Sequence, residues 1–442
     1  MVWAVSASLG GFAVGYNLGV IAAALLSVRG DFALSDFEQG ALASVLPLGA
    51  LVGGLTTTRL ADALGRRGTL LLAAAIFLAS SAVAATAGSY GVLLAARAAA
   101  GVAVGATSSA VPLYLSEIAP SGVRGRLVTI NQLMLTLGIL VSYCVGLVFD
   151  SSGSWRAMFA VGAVPAAALL VAILRSPETP VWLAAHGRAE RARQVIEQVA
   201  DRDEADRLLG GAPDGDRRGS QGVRGSAILR SAARPALVIG VTLAVLQQFS
   251  GINTIIYYGP TIMEKTGLSA SNSMVSAIII GLVNVAATAV SFRLVDRLGR
   301  RPLLRISLLG MVVSLTLLGV SLESSLGAAG SWLSLFCILA FVASFAIGMG
   351  PVFWLLIAEI FPPGARASGA SISTAVVWCS NFAVGLVFLP LAGAIGQGPT
   401  FWVFAGVCVV ALVFVERRVP ETKGRPLSDI AADLDRRVLA GR

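Results

Sequence analysis

One histidine in 442 residues, His186, leaves this chain almost no imidazole, and its four cysteines, Cys144, Cys337, Cys379 and Cys408, fall singly within apolar runs. No metal-ligand spacing and no redox pair can be assembled from such a set, so buried packing is the reading for the thiols. There is no nucleophile–base pair and no phosphate-cradling loop either, which argues against an enzyme; neither a cofactor nor a metal is expected. Charge is scarce as well. Asp, Glu, Lys and Arg make up 13% of the chain, about half the share of a soluble domain.

What is plentiful is apolar length. Hydrophobic residues make up 56% and the mean hydropathy is +0.81, the profile of a protein whose solvent is a bilayer. Runs of about 20 residues, enough to cross a hydrocarbon core about 30 Å thick as helices, recur along nearly the whole chain. They predict twelve spans over 2–28, 39–60, 68–88, 90–113, 127–149, 156–175, 236–263, 273–295, 302–321, 332–357, 367–391 and 399–416. The first begins almost at Met1 with no basic lead or clear cleavage site, so it reads as a retained helix.

The net charge of +9 invites a nucleic-acid partner, but its distribution does not. With both termini on the cytoplasmic side, all but four of the 33 Lys and Arg fall on that side. The exceptions are Arg29, Arg156 and Lys265, which face out, and Arg97, inside a span. This is the positive-inside pattern. It predicts a multi-pass protein of the cell membrane with the lipid bilayer as its surroundings and no nucleic-acid partner.

One long polar stretch divides the spans six and six. The expected organisation is an N-terminal bundle over 1–183, a cytoplasmic linker with short helices over 184–235, a C-terminal bundle over 236–416 and a tail over 417–442. Within the linker, "AAHGRAERARQVIEQV" has helical character and "GGAPDGDRRGSQGVRG" that of a flexible connection. The halves repeat each other's punctuation: "RLADALGRRGTL" (59–70) and "RLVDRLGRRPLL" (293–304), "LYLSEIAPSGVRGR" (113–126) and "LLIAEIFPPGARAS" (355–368), "RSPETP" (175–180) and "RVPETKGR" (418–425). Three motifs in the same order point to a duplication, common among secondary transporters. Each lies at the cytoplasmic end of a span, so Asp62, Arg66, Arg67, Glu117 and Arg124, with Asp296, Arg300, Arg301, Glu359 and Arg366, are expected to pair as a charged latch that holds one arrangement of the helices. Solvated topology determinants are the alternative.

With "GRR" after the second and eighth spans, "PETP" after the sixth, "QQFSGINTIIYY" in the seventh and "PETKGR" after the twelfth, the chain resembles a sugar porter of the major facilitator superfamily over essentially its full length. The resemblance implies an all-α membrane protein of the major facilitator fold, two pseudo-symmetric six-helix bundles that rock about a central monosaccharide site, joined by short cytoplasmic helices and functional as a monomer. It implies sugar contacts at Gln132, Gln247, Gln248, Asn253, Asn284 and Trp354, and at Trp378 and Asn381, with Tyr257 and Tyr258 closing an outer gate. The chemistry of these side chains agrees. An amide both donates and accepts, as a sugar hydroxyl does, and an uncharged polar group inside an apolar span needs a partner or a wet cavity. Gln247, Gln248, Ser250, Gly251 and Asn253 together predict an irregular, locally polar point in the seventh span. The competing reading is that such amides join helices and that Trp and Tyr anchor at the membrane interface. The chain departs from the family pattern at Val377, Ala346 and Thr58, where relatives carry an amide, an acid in the glucose facilitators, and a glycine.

Asn17 is the functional hinge of the reading. Proton-coupled relatives carry Asp there, partnered by an arginine matching Arg97. A buried Asp can titrate, and Asn cannot. Asp31, Asp36, Glu38, Asp150, Glu264 and Glu323 fall near outer ends or loops, and the remaining acids on the cytoplasmic side. With no acid at mid-membrane the expectation is uniport of a hexose such as glucose, with Arg97 bound to the Asn17 side-chain oxygen or to backbone carbonyls. A proton-coupled symporter, or a sugar-sensing receptor on the same scaffold, is the alternative.

Overall fold

The computed structural model describes residues 2–118, 124–150, 152–198, 233–324, 327–362 and 365–425. Among them all regular structure is helical: α1 (Val2–Asp31), α2 (Asp36–Ala85), α3 (Tyr90–Ile118), α4 (Arg124–Asp150), α5 (Trp155–Val161), α6 (Ala163–Leu174), α7 (Pro180–Ala185), α8 (Ala189–Glu197), α9 (Arg234–Phe249), α10 (Ile252–Lys265), α11 (Ala270–Leu298), α12 (Arg300–Glu323), α13 (Ala328–Ile347), α14 (Met349–Ile360), α15 (Arg366–Ile395) and α16 (Gln397–Arg418). Among the described residues, eleven segments are long and apolar enough to cross a membrane. One of them, α2, is 50 residues long, about 75 Å of helix and more than twice a hydrocarbon core. It turns at Gly65, where φ is 82°, and makes two crossings. The twelve expected spans are therefore present, with the second and third merged in α2.

The expected linker helices are present too. Pro180 opens α7 at its first turn, where a missing N–H costs nothing. In α8 the buried Ala192, Val195 and Ile196 follow the i, i+3, i+4 spacing of one helix face, and that face packs on Leu183 with Trp3 and Trp182 beside it. Residues 199–232, the flexible-connection reading among them, lie outside the described residues.

By contacts the chain divides into two compact units, residues 1–24 with 45–221 and residues 25–44 with 222–442. In the first, a core of Leu70, Ala74, Ala110, Val111, Tyr114, Leu127 and Leu169 forms where α2, α3, α4 and α6 meet. Close approach of α2 and α3 depends on small residues. A Cβ at Gly101 or Gly105 would run into the carbonyls of Leu46 and Ala50, so the two backbones touch only because neither glycine has one. In the second unit the C-terminal end of α1 and the start of α2 join α10 and α15. Arg29 forks onto both carboxylate oxygens of Glu264 at 2.9 and 2.7 Å, and Gly40 abuts the Leu386 carbonyl.

Candidate functional site

The polar point expected in the seventh span is a break between α9 and α10. Gly251 has φ 88°, a conformation L side chains rarely adopt. A Cβ there would lie 2.5 Å from Cδ2 of Phe404. The free backbone groups at this break are taken up locally: Ser250 Oγ donates to the Gln247 carbonyl at 2.6 Å and Thr254 Oγ1 to the Gly251 carbonyl at 2.6 Å.

Three of the expected amides meet at this break and form a row. Asn253 Nδ2 donates to Gln248 Oε1 at 2.6 Å, Gln248 Nε2 donates to Gln247 Oε1 at 3.1 Å, and Gln247 Nε2 donates to the Met349 carbonyl at 2.9 Å. Gln247 and Gln248 each use both ends of the amide, accepting through Oε1 and donating through Nε2. Gln247 and Gln248 are buried, whereas Asn253 is half-buried, so the row has one anchored end and one accessible end. The anchored end is a second break, between α13 and α14, at Gly348 with φ −127° and ψ −75°. The tenth span, expected over 332–357, is divided here, and Gly348 and Gly350 are the signal for it in the sequence.

On α15, Asn381 Oδ1 accepts from the Tyr257 hydroxyl at 3.2 Å. Tyr258 donates to the Gly385 carbonyl at 2.8 Å and stacks on Phe388 with centroids 5.2 Å apart. Both tyrosines are fully buried and tied to α15, unlike tyrosines of an interfacial belt, which keep one end in the headgroup layer. Trp378 is buried to 8% exposure, and its Nε1–H has no hydrogen-bond partner among the described residues. A buried donor left in this way calls for an explanation. Trp354 is 43% exposed, edge-on to Phe353 at 5.1 Å. Asn284 on α11 and, in the first unit, Gln132 on α4 are half-buried, and their side chains make no hydrogen bond among the described residues. Neither amide joins helices here.

In the first unit Arg97 is 2% exposed. Its Nη1 donates to the Asn17 backbone carbonyl at 2.8 Å, and the guanidinium lies 5.9 Å from the Phe159 ring centroid. Of the two partners expected for Arg97, the structure therefore shows the backbone carbonyl. The Asn17 amide nitrogen turns to its own helix, donating to the Ala13 carbonyl at 3.0 Å.

Arg66 with Glu117 and Arg300 with Glu359 anchor one charge network in each unit, wired alike. In the first, Arg66 pairs with Glu117 at 3.0 Å, and Thr179 Oγ1 donates to Glu117 at 2.6 Å. In the second, Arg300 pairs with Glu359 at 2.7 Å and Thr422 donates to Glu359 at 2.5 Å. Arg67 reaches the Leu174 carbonyl at 2.9 Å and Arg301 that of Glu416 at 2.5 Å, each satisfying a helix C-terminus. Asp62 is more marginal, 3.5 Å from Arg66 and 71% exposed. Arg366, expected in the latch, is exposed as the first residue of α15, without an ion-pair partner among the described residues. The side chains of Arg124 and Asp296 lie outside the described residues.

The centre of each network was missed in the sequence. Glu178 accepts from the backbone N–H of Arg66 and Arg67 at 3.0 and 3.1 Å, and Glu421 from those of Arg300 and Arg301 at 3.0 Å each. These N–H groups open the helices that follow Gly65 and Gly299, where a carboxylate is favoured. Each glutamate fills the space in which its glycine lacks a side chain. The signal in the sequence is the repeated "PET", which puts an acid at the same place after the last span of each half. Burial of Glu421 works against its charge, and the N–H groups of Lys423, Arg300, Arg301 and Thr422 outweigh it, so its carboxyl sits below the usual carboxylate range.

Residues 3–434 match the family model described as sugar (and other) transporter. The chain is 36% identical to the glucose transporter GlcP of Staphylococcus epidermidis, covering 97% of this chain and 96% of that one. It is 37% identical to a galactose-proton symporter of Escherichia coli, over 97% and 93%. Its fold matches the xylose transporter XylE of E. coli in a partially occluded inward open conformation, with a TM-score of 0.84 at 29% identity, over 96% of this chain and 99% of that one.

Proposed function

Because this chain belongs to the sugar transporter family of the major facilitator superfamily, a multi-pass membrane protein that moves sugars and not an enzyme, we propose that it is a uniporter, carrying a hexose such as glucose down its gradient by alternating access. The single observation that carries the absence of coupling is Asn17. A carboxylate here could pick up and release a proton against Arg97, but an amide bonded to Ala13 cannot titrate. The coupled symporter remains the second reading, favoured by the name of the galactose-proton relative.

Sugar recognition falls to Gln132, Gln247, Gln248, Asn253, Asn284, Trp354, Trp378 and Asn381, with Tyr257 and Tyr258 as the outer gate. The accessible end of the amide row, the two amides whose side chains have no partner among the described residues and the buried Trp378 N–H suit a ligand made of hydroxyls. Several hydrogen bonds of about 1 kcal/mol each, less the ordering cost, fit binding in the millimolar to micromolar range. The positive-inside charge distribution supports cytoplasmic termini in the cell membrane, and each bundle carries its own charge network, which supports a working monomer.

Purified protein in liposomes tests the reading. It should exchange radiolabelled glucose in counterflow and equilibrate it, with no accumulation above the outside concentration when a proton gradient is imposed. Gradient-driven accumulation would establish symport instead, and absence of exchange with any monosaccharide would remove the transport reading.

A further inference from the structure

Resting on that sugar site, we propose that Ser291 and Ser307 are positioning residues for it: their hydroxyls pin the break of the tenth span so that the Met349 carbonyl is held where Gln247 needs it. The break leaves the Ile347 carbonyl and the Met349 N–H without their helical partners, and an apolar span offers no bulk water to replace them. Each finds a side chain. Ser291 Oγ, on α11, donates to the Ile347 carbonyl at 2.9 Å. Ser307 Oγ, on α12, accepts from the Met349 N–H at 3.0 Å. Gln247 supplies the third bond, to the Met349 carbonyl. Ser291, Ser307, Met349 and Gln247 are each no more than 3% exposed.

These two serines depart from the habit of serine in helices, which is to bond back to a carbonyl three or four residues earlier. Ser314, on the same α12, does that, donating to Gly310 at 2.7 Å, and Ser373 does it to Gly369 at 2.9 Å. Ser307 and Ser291 instead reach across to another helix at the point where its ladder is interrupted. Space at the crossing is set by Gly348, whose added Cβ would lie 2.6 Å from the Leu303 carbonyl and against Ser307. The hydrogen-bonded path thus runs Asn253, Gln248, Gln247, Met349, Ser307. It joins the sugar-facing end of the amide row to a fixed point on α12, and α14, which begins at the break, carries Trp354.

The test is radiolabelled counterflow by the full chain in liposomes, using whichever of D-glucose, D-galactose, D-xylose and L-arabinose the wild type transports best. Ser307→Ala strands a buried N–H and should raise KM about tenfold with the maximal rate within about twofold; Ser291→Ala should act in the same direction. Ser314→Ala, the same change on the same helix, should leave KM alone. The inference is overturned if KM in Ser307→Ala stays at the wild-type value, if Ser314→Ala raises it equally, or if KM and maximal rate fall away together with the thermal midpoint. Should Ser307→Ala not fold, an unchanged KM in Ser291→Ala overturns it. A wild type that exchanges none of the four sugars overturns the sugar-site reading itself, and this inference with it.

Discussion

Arg97 bonds to the backbone carbonyl of Asn17, not to its side chain, so the guanidinium is held by an acceptor that no substitution at position 17 removes. An intramembrane charge is costly unless it is met, and here the main chain meets it. Asn17→Asp is therefore expected to fold, with Arg97 still seated. Wild-type counterflow should be flat between about pH 5 and 8, where an uncoupled carrier has no required proton, and the variant should become pH-dependent. Initial rates across that range decide it.

Trp378 gives a cleaner separation of binding from stability. Its indole N–H has no protein partner among the described residues, so Trp378→Phe takes away no internal hydrogen bond. The variant should lose sugar affinity, about three- to tenfold in KM for one neutral hydrogen bond, with a thermal midpoint close to that of the wild type. Equal loss of both would place the tryptophan in the core alone.

Gly251→Ala should act on the fold. The residue would have to hold φ 88°, at a cost of about 1–2 kcal/mol, and press a methyl against Phe404. A lowered thermal midpoint and transport reduced at least about tenfold are expected, because the amide row is built on both sides of this turn. Normal transport would mean that the break is incidental.

Glu421 predicts an acid limb of stability. Its carboxyl is held below the usual carboxylate range, so its contribution is fully present above the unfolded-state pKa and is lost as the pH falls through the lower folded-state pKa. Glu421→Gln should lower stability by about 1–3 kcal/mol, the scale of a hydrogen bond to a charged group, and flatten that limb. Melting scans of both proteins in detergent at descending pH measure it.

The span count, the duplication, the amide set and the charged pairs were legible in the order of residues, because hydropathy, charge and motif are local properties. Asp62, Arg66 and Glu117 could be recognised as a group from their echo at Asp296, Arg300 and Glu359. That Glu178 and Glu421 cap the helices after Gly65 and Gly299 was not, since Glu178 lies 112 positions from Arg66.

Composition and periodicity alone determined that this protein is a twelve-span helical bundle with neutral polar side chains in its interior, since a bilayer tolerates few other solutions. Tertiary structure alone decided where the tenth span breaks, which carbonyl Gln247 finds there, and that Arg97 rests on main chain. Those outcomes depend on which unsatisfied backbone group meets which side chain when helices far apart in sequence pack, and no short stretch of sequence encodes that meeting.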